Sequence, residues 1–374
     1  MSVLKNCSKA YPARICNNPG AVEPTDTTTA LEPMTKRRLS NQQQARISER
    51  HQRELVSGNE AGGARESSDG VSGERCNGRI VSHLGQQLLV ETLEAGSSSG
   101  TSVRCFQRAN LPALVTGDLV VWEAGDNDTG VITAVAERKS VFGRPAFSGN
   151  FKPMAANIDR VLLVIAPLPE PFPNLIDRYL VAIETLQLQA VLVLNKSDLH
   201  AEIANQRLDK LLSLYEGLGY ETHRVSTVDN AGIAPLLASL SGLTTVIVGQ
   251  SGVGKSSLIN SFGVNNDAAV GSLSTAGPKG THTTTTARLF HLPDCDLIDS
   301  PGIREFSLGH IDASAVFAGF REFRQFEGQC KFRDCSHQTE PDCALNKALA
   351  AGAISPQRVD SYFQILQSLD NAGR

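Results

Sequence analysis

The residues best suited to binding phosphate lie between Gly249 and Ser256, in the order Gly-Gln-Ser-Gly-Val-Gly-Lys-Ser. Glycines let such a loop curl so that backbone N–H groups face phosphate oxygens, while the lysine adds positive charge and the serine hydroxyl can bind Mg²⁺. An apolar run at 245–248 precedes the loop and a helix-compatible stretch at 257–262 follows it. This context predicts a nucleotide-binding phosphate loop. Its predicted binding residues are Gly249, Gln250, Ser251, Gly252, Val253, Gly254, Lys255, Ser256 and Ser257.

A second motif, Asn-Lys-Ser-Asp at 195–198, follows another apolar run. Guanine presents a ring N–H and an amine on one edge, and the Asp198 carboxylate can accept both hydrogen bonds. Adenine would leave a buried carboxylate unpaired, so the motif predicts a preference for GTP over ATP. Asn195 would hold the loop together and the aliphatic stem of Lys196 would cover the base. Ser226 would form a second wall of the base pocket. Taken alone, the tetrad is also compatible with a structural turn.

Two further segments are predicted to respond to the γ phosphate. Asp299 and Gly302 belong to an Asp-Ser-Pro-Gly sequence that follows a short apolar run. The carboxylate can hold Mg²⁺ through water and the glycine N–H can contact the phosphate, although a plain turn is the alternative. Residues 277–286 are polar and rich in threonine, which predicts a first switch. Within it we favour Thr284 as the magnesium ligand, together with Ser256, and the neighbouring threonines are alternatives.

A cluster of metal-ligating residue types lies near the C-terminal end, at Cys330, Cys335, His337 and Cys343. Three thiolates and one imidazole at this spacing suit a closed tetrahedral Zn²⁺ site, which leaves no open position for catalysis. The alternative is a set of buried cysteines without a ligand. The pattern therefore predicts one structural zinc ion.

Composition limits the other possibilities. With 374 residues and 41% hydrophobic residues, the chain is long enough for two to three domains. The formal charge of -4 excludes a protein that coats nucleic acid by bulk electrostatics, so RNA contacts must come from local patches. No apolar run is long enough to span a bilayer, which predicts that no membrane is a partner. Cysteines clustered beside a histidine indicate a reducing compartment, and we expect the protein to be cytoplasmic.

Hydrophobic patterning predicts a multidomain chain. Short β-branched runs from residue 78 to about 139 predict five strands of a small barrel, for which an oligonucleotide-binding (OB) fold leads and an SH3-like barrel is the alternative. Apolar runs then alternate with helical stretches, which predicts a parallel α/β sheet with helices on both faces and ligands at its carboxyl edge. Four phenylalanines at helical spacing, Phe317, Phe320, Phe323 and Phe326, are interpreted as a core face.

The predicted domain organisation begins with a largely disordered tail. Its basic segment is either a solvated polar stretch or a region that becomes helical on a phosphate-bearing partner. The predicted parts are a tail at 1–74 with the basic segment at 34–54, an OB-fold barrel at 75–145, a GTPase domain at 150–308 and a mainly α zinc-binding domain at 309–374.

The order of the nucleotide motifs is a rotation of the usual GTPase order, since the guanine motif precedes the phosphate loop. Together with the Cys/His spacing, this order resembles the ribosome small-subunit-dependent GTPase A family of bacterial assembly factors. The resemblance covers about residues 34–369. Its specific stretches are Leu-Ser-Asn-Gln-Gln-Gln at 39–44, the phosphate loop, His-Thr-Thr-Thr at 282–285, Asp-Ser-Pro-Gly-Ile-Arg-Glu-Phe at 299–306 and the Cys/His segment.

The resemblance implies a barrel, a circularly permuted GTPase domain and a zinc domain. It implies binding to the 30S ribosomal subunit and its 16S rRNA late in maturation, with GTP hydrolysis stimulated by the subunit and coupled to release. We expect GTP or GDP, Mg²⁺ and one Zn²⁺ as ligands and a monomeric protein. Because the first 33 residues match nothing in the resembled family, either translation starts at Met34 or these residues are a lineage-specific tail.

The group that orients the attacking water is not marked by a familiar motif. Many GTPases carry glutamine just after the second-switch glycine, where this chain has Ile303. We hypothesise that His282 takes this role, because it adjoins the switch threonines and imidazole titrates near neutrality. The alternatives are that His282 contacts RNA or nothing, and that hydrolysis depends on a group from the partner.

Two rival functions remain open on the sequence. One is a GTP-dependent RNA-binding clamp, in which hydrolysis only times dissociation. The other is a small-molecule ATPase or kinase, which the carboxylate of Asp198 argues against.

Overall fold

Eleven strands of the described chain form one continuous sheet, in which a small barrel joins the edge of an α/β sheet. The computed structural model describes residues 75–93, 101–125, 128–145, 151–199, 206–264, 287–299, 308 and 311–372. All of these lie within the compact unit Ala45–Arg374. The predicted tail at 1–74 and its basic segment at 34–54 lie outside the described residues.

The N-terminal part of the sheet is a five-stranded barrel. Its strands are β1 (Arg75–Leu84), β2 (Gln87–Thr92), β3 (Ser102–Gln107), β4 (Leu119–Ala124) and β5 (Thr129–Val135). They pair in the order β1-β2-β3-β5-β4, and β4 closes the barrel by pairing with β1. Alternate side chains, among them Ile80, Val90 and Ile132, are buried in its interior. This arrangement confirms the predicted barrel and its OB class.

A two-stranded hairpin that the hydrophobic pattern does not predict follows the barrel. Its strands are β6 (Val141–Pro145) and β7 (Phe151–Ala156), which pair antiparallel. Prolines at two positions and a glycine interrupt the alternation by which strands are recognised. The predicted barrel and GTPase domain boundaries, at 145 and 150, fall between these two strands and stay predictions.

The second part of the large sheet is α/β and carries helices on both faces, as predicted. Its strands are β8 (Arg160–Ile165), β9 (Gln189–Leu194), β10 (Glu221–Arg224), β11 (Thr244–Val248), β12 (Arg288–His291) and β13 (Asp296–Asp299). They lie in the order β10-β9-β8-β11-β13-β12, and only β12 runs antiparallel to its neighbour β13. The helices are α1 (Pro173–Thr185), α2 (Gln206–Gly217), α3 (Ile233–Ser239) and α4 (Lys255–Ser261).

Alternate residues of each central strand enter opposite cores. In β8, Leu163 packs in the core beneath α1 and α2, whereas Leu162 packs in the core beneath α3 and α4. Because both faces are buried, these strands are apolar throughout and their register is firmly specified. A sheet held this way fixes the positions of the loops at its carboxyl edge.

All regular elements of the C-terminal part, residues 311–372, are helices. Its elements are α5 (Ala313–Gly319), a 3₁₀ helix (Arg321–Phe326), α6 (Ala344–Ala350) and α7 (Pro356–Ala372). Phe317, Phe320 and Phe323 are buried and Phe326 packs against the same core, which confirms the predicted core face. The stripe is not one helix, however, because the backbone is extended at Phe320 between α5 and the 3₁₀ helix.

A buried cluster of charges joins the C-terminal part to the α/β sheet. The Arg358 guanidinium in α7 is fully buried and contacts the carboxylates of Asp177 in α1 and Glu322 in the 3₁₀ helix. The hydroxyl of Tyr215 donates to Asp177 at 2.6 Å, and Arg358 lies 4.4 Å from the ring centroid of Phe320. Buried charges need such partners, so these elements are held together as one block.

None of the helices among the described residues is both long and apolar enough to cross a membrane.

Candidate functional site

The predicted nucleotide motifs meet at one edge of the sheet. Strands β9 and β11 end at Leu194 and Val248, directly before the guanine motif and the phosphate loop, while β13 ends at Asp299. Leu194 lies opposite Ile165 of β8, and Asp299 lies opposite Ile247 of β11. Since these strands are parallel, their following loops emerge side by side.

Asn195 binds the guanine motif to the phosphate loop. Its side chain is fully buried and its amide nitrogen donates to the carbonyl oxygens of Val253 at 2.9 Å and Gly254 at 3.4 Å. Gly254 has a φ of +91°, and a Cβ there would lie 2.4 Å from the Asn195 amide nitrogen. This close approach requires glycine. The predicted tying role of Asn195 fits this geometry.

Lys196 makes a second connection between the two motifs. Its ammonium group donates to the carbonyl oxygens of Gly252 at 2.7 Å and Leu168 at 2.8 Å. Leu168 belongs to the loop after β8, which is not among the predicted site segments. Only its position after an apolar strand could have pointed to it. Three loops therefore converge on the place predicted for the nucleotide.

One carboxylate oxygen of Asp198, in the guanine motif, accepts no hydrogen bond from the described residues. Its Oδ1 atom is buried, and among the described residues it has no hydrogen-bond partner. An unpaired buried carboxylate oxygen is costly, and paired donors such as those on the edge of guanine would satisfy it. The residues present therefore fit a guanine base.

Ser226 is fully buried beside the guanine motif. Its hydroxyl oxygen accepts from the N–H of Val228 at 3.2 Å, and its own N–H donates to Ala231 at 3.0 Å. The N–H of Ser197 in the motif donates to the carbonyl of Val225 at 3.0 Å. The predicted wall residue is thus held next to the loop that carries Asp198.

Lys255 and Asp299 supply the charges of the phosphate end. The Lys255 ammonium donates to the carbonyl oxygens of Gly249 and Gln250, each at 2.7 Å. Burial raises the pKa of the Asp299 carboxyl, and the positive charge of Lys255 opposes this rise. Ser256 is exposed in the first turn of α4. A carboxylate and a hydroxyl next to a phosphate loop are a donor set that Mg²⁺ accepts.

Several predicted site residues lie outside the described residues. These are His282, Thr284 and the neighbouring threonines of the first switch, and Gly302 and Ile303 of the second switch. Their roles stay predictions.

The four predicted metal ligands come together in the C-terminal part. The ligand atoms of Cys330, Cys335, His337 and Cys343 all lie within 4.8 Å of one another. The Cys330 sulfur lies 3.9 Å from the Cys343 sulfur and 3.5 Å from the His337 Nδ1 atom. Three thiols and one imidazole at these separations are the donor set of a closed tetrahedral zinc site.

The loop around His337 is organised by neighbouring groups. The Glu340 carboxylate accepts hydrogen bonds from the N–H groups of Ser336 at 2.8 Å and Gln338 at 3.0 Å. The hydrogen bond from the Ser336 hydroxyl, followed by that from the Ser336 N–H, lowers the pKa of Glu340 to about 2. The ring of Phe317 stacks on the imidazole of His337 with centroids 5.0 Å apart. Burial lowers the pKa of His337, which favours the neutral imidazole that binds metal.

Together, the phosphate loop, the guanine motif and their rotated order on this sheet define a circularly permuted GTPase with a C-terminal Cys/His cluster. Comparison with known proteins agrees with that class. The RsgA GTPase family model matches residues 135–309. The small ribosomal subunit biogenesis GTPase RsgA of Azotobacter vinelandii is 52% identical over 340 residues, which cover 90% of this chain and 98% of the relative. The protein of the same name from Pseudomonas aeruginosa is 50% identical, with the same coverage.

Solved structures give the same result. YjeQ from Thermotoga maritima is similar to this chain with a TM-score of 0.63 and 30% identity, covering 79% of this chain and 99% of that structure. YloQ, a circularly permuted GTPase, is similar with a TM-score of 0.62 and 25% identity, covering 82% and 98%. The chain belongs to the RsgA GTPase family.

Proposed function

We propose that this protein hydrolyses GTP to GDP and phosphate while bound to the 30S ribosomal subunit, and that it assists late maturation of that subunit. The observation that carries the proposal is the junction of Asn195 and Lys196 with the phosphate loop, beside the unpaired buried oxygen of Asp198. The names of the curated relatives supply the small ribosomal subunit as partner.

At the nucleotide, Asp198 selects guanine and the phosphate loop holds the phosphates through its N–H groups and Lys255. Ser256, Asp299 and the predicted Thr284 are the groups suited to hold Mg²⁺, which supplies charge neutralisation at the β and γ phosphates when bound. Gly302 is assigned to γ-phosphate sensing and His282 to orienting the attacking water. Changing His282 to alanine then lowers subunit-stimulated turnover without weakening GTP binding, and unchanged turnover would remove that assignment.

The C-terminal Cys/His cluster is assigned one structural Zn²⁺. Its ligands are Cys330, Cys335, His337 and Cys343, whose converging side chains support the assignment. A four-ligand site of this kind contributes to folding and leaves no position for a substrate.

The 16S rRNA is the proposed contact of the barrel. Phe106 on β3 and Val131 on β5 lie opposite each other, with 45% and 36% of their surfaces exposed. Two arginines flank Phe106 in sequence. Arg104 lies on β3 and Arg108 directly follows that strand. An exposed aromatic ring with arginines two residues before and after it in sequence suits a stacked base and its phosphates. The proposal also includes a monomeric state and a cytoplasmic location. It keeps the predicted domain limits at 75–145, 150–308 and 309–374.

The deciding experiment measures GTP turnover with and without purified 30S subunits, with ATP as the competing nucleotide. We expect GTP hydrolysis that rises when subunits are added and no comparable hydrolysis of ATP. A preference for ATP would overturn the proposal. A second measurement compares how long the protein stays on the subunit with GTP and with a non-hydrolysable analogue. If the protein is only a clamp, the analogue delays release and does nothing else. If it is an enzyme that remodels the subunit, turnover also changes the subunit.

A further inference from the structure

One barrel residue reaches directly to the chain next to the predicted first switch. Thr116, on the connection between β3 and β4, is 1% exposed. Its hydroxyl donates to the carbonyl oxygen of Ala287 at 3.0 Å, across 171 residues of sequence. Ala287 directly precedes β12 and immediately follows the segment 277–286 that the sequence predicts as the first switch, so the bond holds the start of β12 to the barrel.

The backbone around Thr116 is tightly held. Gly117, with a φ of +93°, donates its N–H to Ile80 at 2.8 Å, and a Cβ at Gly117 would lie 2.1 Å from the carbonyl oxygen of Ala156. The Asn157 amide donates to the Gly117 carbonyl at 2.9 Å. The barrel and the β6–β7 hairpin therefore fix Thr116 from two sides, and its hydroxyl acts from a rigid base.

A second contact holds the next residue. Ser82 of β1 pairs with Arg288 at the start of β12, which is where the barrel and the α/β sheet join. Arg288 in turn lies opposite Asp299 in the antiparallel pair of β12 and β13. Lys255 of the phosphate loop acts electrostatically on Asp299. A series of strand pairings thus runs from the barrel to Asp299, the residue on which the charge of Lys255 acts.

We propose that Thr116 is a positioning residue for GTP hydrolysis. It sets the location of Ala287, and thereby of β12, whose Arg288 lies opposite Asp299. A subunit that binds the barrel acts on hydrolysis through this bond. The inference rests on the proposed GTPase function and adds the route by which the partner stimulates it. Because reacting groups must be placed to within about 1 Å, loss of one positioning contact can cost a large factor in rate.

The test compares Thr116→Val, which removes the hydroxyl at nearly the same volume, with Thr116→Ser, which keeps it. Thr133→Val is the matched control, because the Thr133 hydroxyl also donates to a carbonyl, that of Val121 at 3.4 Å, but within the barrel. For each variant we would measure kcat and KM for 30S-stimulated GTP hydrolysis, the affinity for GDP, and the thermal midpoint.

We expect Thr116→Val to lower the stimulated kcat about tenfold while KM and GDP affinity stay within about twofold of wild type. Thr116→Ser and Thr133→Val should keep most of the rate. An unchanged kcat in Thr116→Val would overturn the inference, and so would an equal loss in Thr133→Val or a parallel loss of GDP affinity. If the wild-type protein itself shows no GTP turnover, the proposed function fails independently of these variants.

Discussion

The side-chain amide of Asn195 donates a hydrogen bond to the Val253 carbonyl oxygen at 2.9 Å, joining positions 58 residues apart. Asn195→Ala removes this bond and the longer one to Gly254, so the two halves of the nucleotide site lose one of their connections and keep the one made by Lys196. We expect GDP affinity to fall about 10- to 100-fold, since buried hydrogen bonds contribute on the order of 1–3 kcal/mol. Titration with a fluorescent guanine nucleotide measures it. Asn346→Ala is the control, because it removes a hydrogen bond from a side-chain amide to the Gln338 carbonyl oxygen outside the nucleotide site. This variant should bind GDP normally.

Asp198→Asn should change the preferred base. The amide can no longer accept two hydrogen bonds from guanine, but its NH₂ group can donate to the additional carbonyl of xanthine. We expect GTP affinity to fall about 100-fold and XTP to become the better ligand. Competition binding with both nucleotides measures the change. Asp294→Asn, at an exposed carboxylate, should leave the preference for GTP intact. Equal weakening of both nucleotides by Asp198→Asn would contradict the assigned base contact.

The metal assignment predicts that purified wild-type protein contains about one zinc ion per chain. Cys335→Ser should lower this content to near zero and reduce the thermal midpoint, because metal binding is coupled to folding. Cys76→Ser is a suitable comparison, since Cys76 is also half-buried but lies in the barrel. Elemental analysis gives the stoichiometry. Full zinc content in Cys335→Ser would remove this thiol from the ligand set.

His291 links the barrel to the α/β sheet in a pH-dependent way. Its ring nitrogens lie 2.7 Å from the Asp296 carboxylate and 2.8 Å from the Glu91 carboxylate. The hydrogen bond to Asp296, followed by that to Glu91, raises the pKa of His291 from 6.5 to about 9. Because the pKa of His291 is higher in the folded protein, the protonated imidazole contributes its full stabilisation of the fold below pH 6.5. This contribution is lost as the pH rises to about 9.

The thermal midpoint of wild type should therefore fall between these pH values more steeply than that of His291→Gln. Calorimetry at several pH values compares the two proteins. Parallel curves would show that His291 does not carry this dependence.

Arg358→Met should be strongly destabilising. The variant leaves the buried carboxylates of Asp177 and Glu322 without their cation, and breaking a buried ion pair costs about 3–5 kcal/mol. Denaturant unfolding measures the loss. Arg333→Met, at an exposed arginine, should change the free energy of unfolding by no more than about 0.5 kcal/mol. Equal effects of the two substitutions would show that the buried cluster does not stabilise the fold.

Much of the fold and site could be predicted because local patterns encode them. The five barrel strands and the apolar strands before Asn195 and Gly249 carry clear periodicity and are where the sequence places them. The break at Phe320 could not be predicted, since one spacing of phenylalanines suits an α-helix and a 3₁₀ helix alike. Arg358 and Thr116 gave no signal, because the partner that gives each its role is more than 170 residues away in sequence.

The pairing of Asp177 with Arg358 spans 181 residues, which imposes an order on folding during synthesis. When α1 leaves the ribosome, its buried carboxylate has no cation to receive it. The nascent chain cannot complete this packing until α7 has also emerged. Closure of this buried charge pair is thus a late step relative to the synthesis of α1, because the whole intervening chain must be made first.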